Sequence, residues 1–265
     1  MTVSTRDQYV GAAKQNILLG KTAARTTIAQ TFFSVFDVAG NPGAGALAIG
    51  NTANGLVHTD VIAGYPAINA FGASAAGYLT RVEYDNTVAS RLYLYDRLFA
   101  AGAYAFNANT ALVTIPSFSS RIPGGTNYTG LEIWVEQVTA GTGNQAVNVT
   151  YVNSDGTTGR TTGAVGIAAA PTLGRCWQLP LQAGDKGVQQ ITNVAGSVAT
   201  AGTFNIMVLR PLWRGRVKVA GDGDTHNYIT TGMPYVYADS AIYCMVAADS
   251  TSSGVPKITI EVSNG

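Results

Sequence analysis

Residues 131–138 read LEIWVEQV, and they alternate without a break. Leu131, Ile133 and Val135 fall on one side, and Glu132, Trp134 and Glu136 on the other. Successive side chains of an extended chain point to opposite faces, so this period of two specifies a strand with one face in a core. The period recurs at 147–152, where Val147, Val149 and Tyr151 share a face. Asn153-Ser154-Asp155-Gly156 then reverses the chain, Asp-Gly being a favoured hairpin dipeptide. Runs rich in β-branched and aromatic residues follow the same logic at 31–38, 78–84, 90–99, 157–162, 203–209, 216–219, 235–237, 241–248 and 257–262. In 90–99 (SRLYLYDRLF) both faces are apolar, as in a central strand covered on two sides. Residues 39–77, rich in Gly and Ala, read as long loops around short strands.

Composition excludes the competing classes. Only 12% of residues are charged, against about 25% in an average soluble domain. With 46% hydrophobic residues this is neither a disordered chain nor a helical bundle, whose exposed faces are built from Glu and Lys. A net charge of +1 provides no field for phosphates, so no nucleic-acid partner is expected. No apolar run is long enough to span a membrane, and residues 1–20 lack the continuous apolar stretch of a secretory leader. The expected fold is all-β, a jelly-roll-like β-sandwich over 31–265 preceded by an N-terminal arm, 1–30. A small extra β region after 215 is the alternative architecture.

In the arm, Arg6, Lys14, Lys21 and Arg25 oppose Asp7 alone, a net +3 that leaves −2 for the rest of the chain. Tyr9, Ala13, Ile17 and Leu18 fall at helical spacing. The segment reads either as a mobile tail or as an arm docking on a neighbouring subunit, with Ile17 and Leu18 as anchors and Arg6 and Arg25 among its rim charges.

Residue types that do chemistry are present but scattered. Cys176 and Cys244 each adjoin an aromatic and read as buried free thiols. His58 and His226 complete no zinc spacing. Asp222 and Asp224 resemble the start of a calcium loop, but the twelfth position is Met233 where a Glu is required. Residues 72–77 miss Gly-x-Ser-x-Gly by one position, and His58-Thr59-Asp60 places a base near a carboxylate, but neighbours in sequence need not form a triad. Glu132 and Glu136 lie about 13 Å apart along a strand, beyond the ~5–9.5 Å of glycosidase pairs. No enzyme activity, cofactor or metal is therefore expected. Trp134, on the polar face of its strand between Glu132 and Glu136, reads as an interface anchor, and Trp177 and Trp213 as core residues.

Three stretches together resemble a family of tailed-bacteriophage virion structural proteins. They are Leu94-Tyr95-Asp96-Arg97-Leu98, the run Tyr151-Val152-Asn153-Ser154-Asp155-Gly156-Thr157-Thr158-Gly159-Arg160, and the run from Leu179-Pro180-Leu181 through Gly184-Asp185-Lys186 to Ile191. The resemblance spans residues 78–218 and carries no catalytic signature. It implies a virion component made in the host cytoplasm, a capsid decoration (cement) protein or a tail component. Its implied partners are the phage major capsid protein or other virion proteins, and itself as a homotrimer. A receptor- or carbohydrate-binding virion protein is the alternative. Sparse charge and frequent aromatics suit surfaces that neighbouring subunits cover.

Overall fold

A computed structural model describes residues 5–72, 74, 76–167 and 171–264. The chain is all-β, as its alternation requires, and is layered as a sandwich whose middle layer is closed. Strands are numbered in chain order. Six of them form a complete antiparallel circuit: β2 (Phe32–Ser34), β6 (Ser90–Ala105), β8 (Glu132–Thr139), β12 (Arg175–Leu179), β14 (Thr203–Val217) and β17 (Ile242–Ala248). The circuit runs β6–β17–β2–β12–β8–β14 and closes through pairing of β14 with β6 along nearly their whole length. Closure leaves the barrel wall without a free edge over its paired length. The short β4 (Leu56–Val57) adds to β6 outside the circuit.

One flanking sheet runs β15 (Gly223–His226), β5 (Ala76–Asp85), β18 (Lys257–Asn264), β1 (Lys14–Lys21) and β3 (Gly40–Asn41), with β16 (Tyr235–Tyr237) also on β5. The other runs β10 (Arg160–Thr161), β9 (Gln145–Asn153), β13 (Val188–Gly196) and β7 (Asn109–Ala111), with β11 (Val165–Ile167) on β9. Three cores result. Ile17, Val82, Ile260 and Val262 of the first sheet meet Leu92, Leu94 and Val246 of the barrel wall. Val147, Val149, Tyr151 and Ile191 of the second meet Ile133, Val135, Phe204 and Val208. The lumen holds Tyr95, Trp134, Met207, Tyr243 and Met245, capped by Phe36, Leu47 and Tyr65 from the loops after β2. Strand β6 faces all three cores, which is why 90–99 is apolar on both sides.

Two expectations are corrected. Residues 5–30, the described part of the expected arm, are not detached from the body. Thr5 caps a short helix, α1 (Arg6–Gly11), through a reciprocal bond with Gln8. From Lys14 the chain is β1, paired with β18 from Lys14↔Ser263 to Gly20↔Lys257 and with β3 on its other side. Ile17 and Leu19 point into the core while Leu18 faces out, a period of two where helical spacing was read. Arg25 is bound within the body, its guanidinium pairing with Asp37 and donating to the Leu173 carbonyl at 2.7 Å. Of the expected anchors and rim residues, Arg6 and Leu18 lie on the surface. Nor do the described residues after 215 form a separate β region. Of the strands that follow, β15, β16 and β18 complete the first sheet, and β17 is a wall of the barrel.

The placement of β1 gives a direct contrast. Ile17→Ala is expected to cost the isolated chain about 2–4 kcal/mol, and Leu18→Ala less than about 0.5 kcal/mol, in urea denaturation. Equal, negligible effects of both would return residues 14–21 to the role of an external arm.

Candidate functional site

The alternating strand is β8, and its polar face is the barrel lumen. Trp134 and Glu136 are 1% and 0% exposed in a single chain. The face expected to be covered by a neighbouring subunit is covered by the chain's own barrel wall. Glu132, half-buried at the barrel mouth, accepts the Trp134 indole N–H at 2.7 Å. Trp134 and Glu136 are thus corrected from interface to interior, and Glu132 to the rim of the barrel mouth.

Glu136 is the hub of the lumen. Its Oε2 accepts from Arg97 at 3.2 Å and from the Asn205 amide at 3.1 Å, and its Oε1 from the Tyr243 hydroxyl at 2.7 Å. Asn205 also donates to the Leu47 carbonyl at 2.7 Å, tying the capping loop to the network. The Arg97 guanidinium lies 5.3 Å from the centre of the Tyr243 ring and 5.6 Å from that of Phe36, within cation–π range of both. Burial pushes the Tyr243 hydroxyl far above its ordinary pKa, so it serves as a donor to Glu136 at any ordinary pH.

Asp96, next to Arg97 on β6, points to the opposite side of the wall. Its carboxylate takes Arg121 at 2.9 Å, Arg210 at 2.8 Å, the Ser240 hydroxyl at 2.8 Å and the Ala241 N–H at 3.0 Å. Burial alone would raise its pKa; Arg121 and Arg210 outweigh that and hold it below the usual carboxylate value. Arg121 also donates to the Leu98 carbonyl at 3.0 Å and to those of His58 and Asp239, so a connecting loop is locked onto β6. The stretch 94–98 is therefore a framework element with one charge on each side of a strand.

The other two family-like stretches meet at Asp185. Arg160 spans both its oxygens at 3.0–3.1 Å, Tyr151 donates at 2.6 Å and Asn153 at 2.8 Å. Arg160, then the hydroxyl and amide donors, hold its pKa near 2. The β9 turn is thereby fastened to the loop before β13.

The remaining candidates have structural partners. His58 Nδ1 meets the Tyr65 hydroxyl at 2.8 Å, and Asp60 accepts the Ile68 N–H at 2.9 Å. His226 accepts the Trp213 indole N–H at 2.9 Å. Trp213 is core, whereas Trp177 is half-buried under Arg175. Cys176 and Cys244 are buried free thiols whose pKa values burial raises, the latter to about 12. Asp222 and Asp224 accept from the N–H groups of Gly223 and Thr225, as in polar turns. No group of three metal-ligand side chains is assembled among the described residues. The Gly-x-Ser-like stretch 72–77 lies partly outside them.

What remains available is surface. Strands β7, β9, β11 and β13 contain no Asp, Glu, Lys or Arg, so the outer face of the second sheet is nearly free of charge. Beside it, Tyr128, Val152, Thr158, Gln189 and Gln190 line a groove of about 420 Å³. In the sequence, alternation marked β9 of this sheet, but nothing marked the groove, which joins segments distant along the chain.

No protein-family model matches the chain, and no curated protein matches it. Among solved structures, the infectious bursal disease virus VP2 subviral particle is 10% identical, with 95% of this chain and 80% of that chain covered, at a TM-score of 0.20. The Gx strain of the same virus gives 9% identity, the same coverages and a TM-score of 0.17. Scores this low do not establish a common fold.

Two outcomes follow from the buried groups. Glu136→Leu strands Arg97 in the lumen and is expected to cost about 3–5 kcal/mol, most of it recovered in Arg97→Met/Glu136→Leu. Denaturation of the single and double variants measures both. His58 is held far below its ordinary pKa by burial, then by Arg97 and Arg121. Below about pH 6.5 the unfolded chain gains a proton that the folded chain refuses. Stability should therefore fall from pH 6.5 to 5, by up to about 1.4 kcal/mol per unit. Melting of His58→Gln over the same range should lack that slope. Asp96 and Asp185, with lowered values, lose their contribution only below about pH 4.

Proposed function

We propose that the chain is a non-enzymatic structural protein of a tailed-phage virion that stabilises or decorates the capsid as a homo-oligomer. The supporting observation is the use of the three family-like stretches. Asp96, Arg97, Tyr151, Asn153, Arg160 and Asp185 are consumed in holding strands and turns together, leaving no substrate-facing group among them. A shell component needs such a framework, since it acts by rigidity and by the surfaces it offers. The nearly charge-free second sheet suits burial against another virion subunit, because interface cores are depleted of Lys, Glu and Asp. In this reading the partners are the major capsid protein or other virion proteins, together with further copies of the chain in a trimer.

One observation favours a second reading, a receptor- or carbohydrate-binding virion protein. The groove beside Tyr128 is lined by neutral hydroxyl and amide groups, chemistry that suits a sugar.

The deciding experiment is cryo-electron microscopy of purified virions with the protein labelled. Regular positions over the head lattice are the expected result. Density at the tail tip together with glycan binding would favour the second reading. Absence of the chain from purified particles would overturn both.

A further inference from the structure

Strand β14 runs on past its pairing with β8, from Arg210 to Val217, alongside residues 90–96 of β6. Their alternate residues Leu92, Leu94, Trp213 and Val217 pack against the first sheet. The opposite face of this ribbon carries Arg91, Tyr93, Arg214 and Arg216, lining an open depression of about 330 Å³. Register sets Arg216 across from Arg91 and Arg214 across from Tyr93. The Arg214 guanidinium lies 5.8 Å from the centre of the Tyr93 ring, and Phe32 packs edge-on behind that ring at 5.0 Å. All three arginines are exposed, and the acid paired with them is Asp249, 3.8 Å from Arg216. Like charges on facing strands destabilise each other unless an anion is brought to them.

The chain carries the complement itself. At the β15 edge of the first sheet, Asp222 and Asp224 are exposed, and register sets Gly223 across from Asp85 and Thr225 across from Glu83. Arg81 and Lys257 offset this corner only in part. Strand β15 ends its sheet, so one side of its backbone is unpaired among the described residues.

We propose that the arginine face of one copy docks on the acidic β15 corner of a second copy. The proposal rests on the homo-oligomeric reading above and names its contact. Arg214 and Arg216 are two positions apart on β14, and Asp224 lies on β15 with Asp222 in the turn that leads into it. The arginine pair therefore spans about 6.5–7 Å, and the two carboxylates stand close together at one corner to meet it. A face and a corner on different parts of one surface make a head-to-tail contact, which closes into a ring when the rotation allows.

Sedimentation of the purified chain tests this with charge reversal. Arg214→Glu/Arg216→Glu and Asp222→Lys/Asp224→Lys should each weaken self-association at least about tenfold, and an equimolar mixture of the two should associate again. Wild-type association should weaken from about 0.05 to 0.5 M salt. Cooperative melting of each variant checks its fold, and Arg216→Gln with Asp224→Asn repeats the test should a reversal unfold the chain. Unchanged association of either variant overturns the contact, as does a mixture that stays dissociated. A wild type that stays monomeric yet binds an oligonucleotide through these arginines also overturns it. Particle attachment is read separately, so loss of this contact leaves the virion reading to its own experiment.

Discussion

Two adjacent residues of β6 carry opposite charges to opposite sides of one barrel wall, and the surrounding layers are fixed by how those charges are met. Arg97 enters the lumen and is matched by Glu136 of β8. Asp96 leaves it and is matched by Arg121 and by Arg210 of β14. Each of these side chains is nearly or wholly excluded from water. A buried charge without its partner costs several kcal/mol, so a slip of β6 against β8 or β14 is penalised far more than hydrophobic packing alone would penalise it. The gain from such groups is specificity of register more than net stability.

The same economy governs the rest of the chain. Charge is scarce, and much of it is spent internally: on Asp96 and Glu136, on Asp185 under the β9 turn, and on Arg25 with Asp37. One flanking sheet is left almost neutral outside, while the other carries Arg81, Glu83, Asp85 and Asp224 near its β15 edge. The two outer faces of the molecule therefore differ chemically although both are β.

Much of the β framework was legible in the sequence. Strands β5, β6, β8, β9, β16, β17 and β18 lie where alternation or β-branched runs put them, and Val147, Val149 and Tyr151 face a core as their spacing implies. The destination of a polar face was not legible. Glu132, Trp134 and Glu136 alternate in the same way whether they meet solvent, a subunit or a lumen, because period two records only that the faces differ. Closure of the barrel depends on pairing β14 with β6 across about a hundred residues, which no local pattern encodes. Strand β1 was obscured because Tyr9, Ala13 and Ile17 mimic a helical stripe, while the alternation of Ile17 and Leu19 is only one step long. Strand β13 was missed because its pairing with β9 shifts register twice, which breaks the period.

The central claim is that the barrel and both sheets form one cooperative unit held through β6 and β14. Native-state hydrogen exchange measures this strand by strand. The expected result is that amides of β5 and β18 on one side, and of β9 and β13 on the other, open with the same free energy as those of β6 and β14. Either flanking sheet exchanging through a lower-energy opening, while the barrel stays protected, would contradict it.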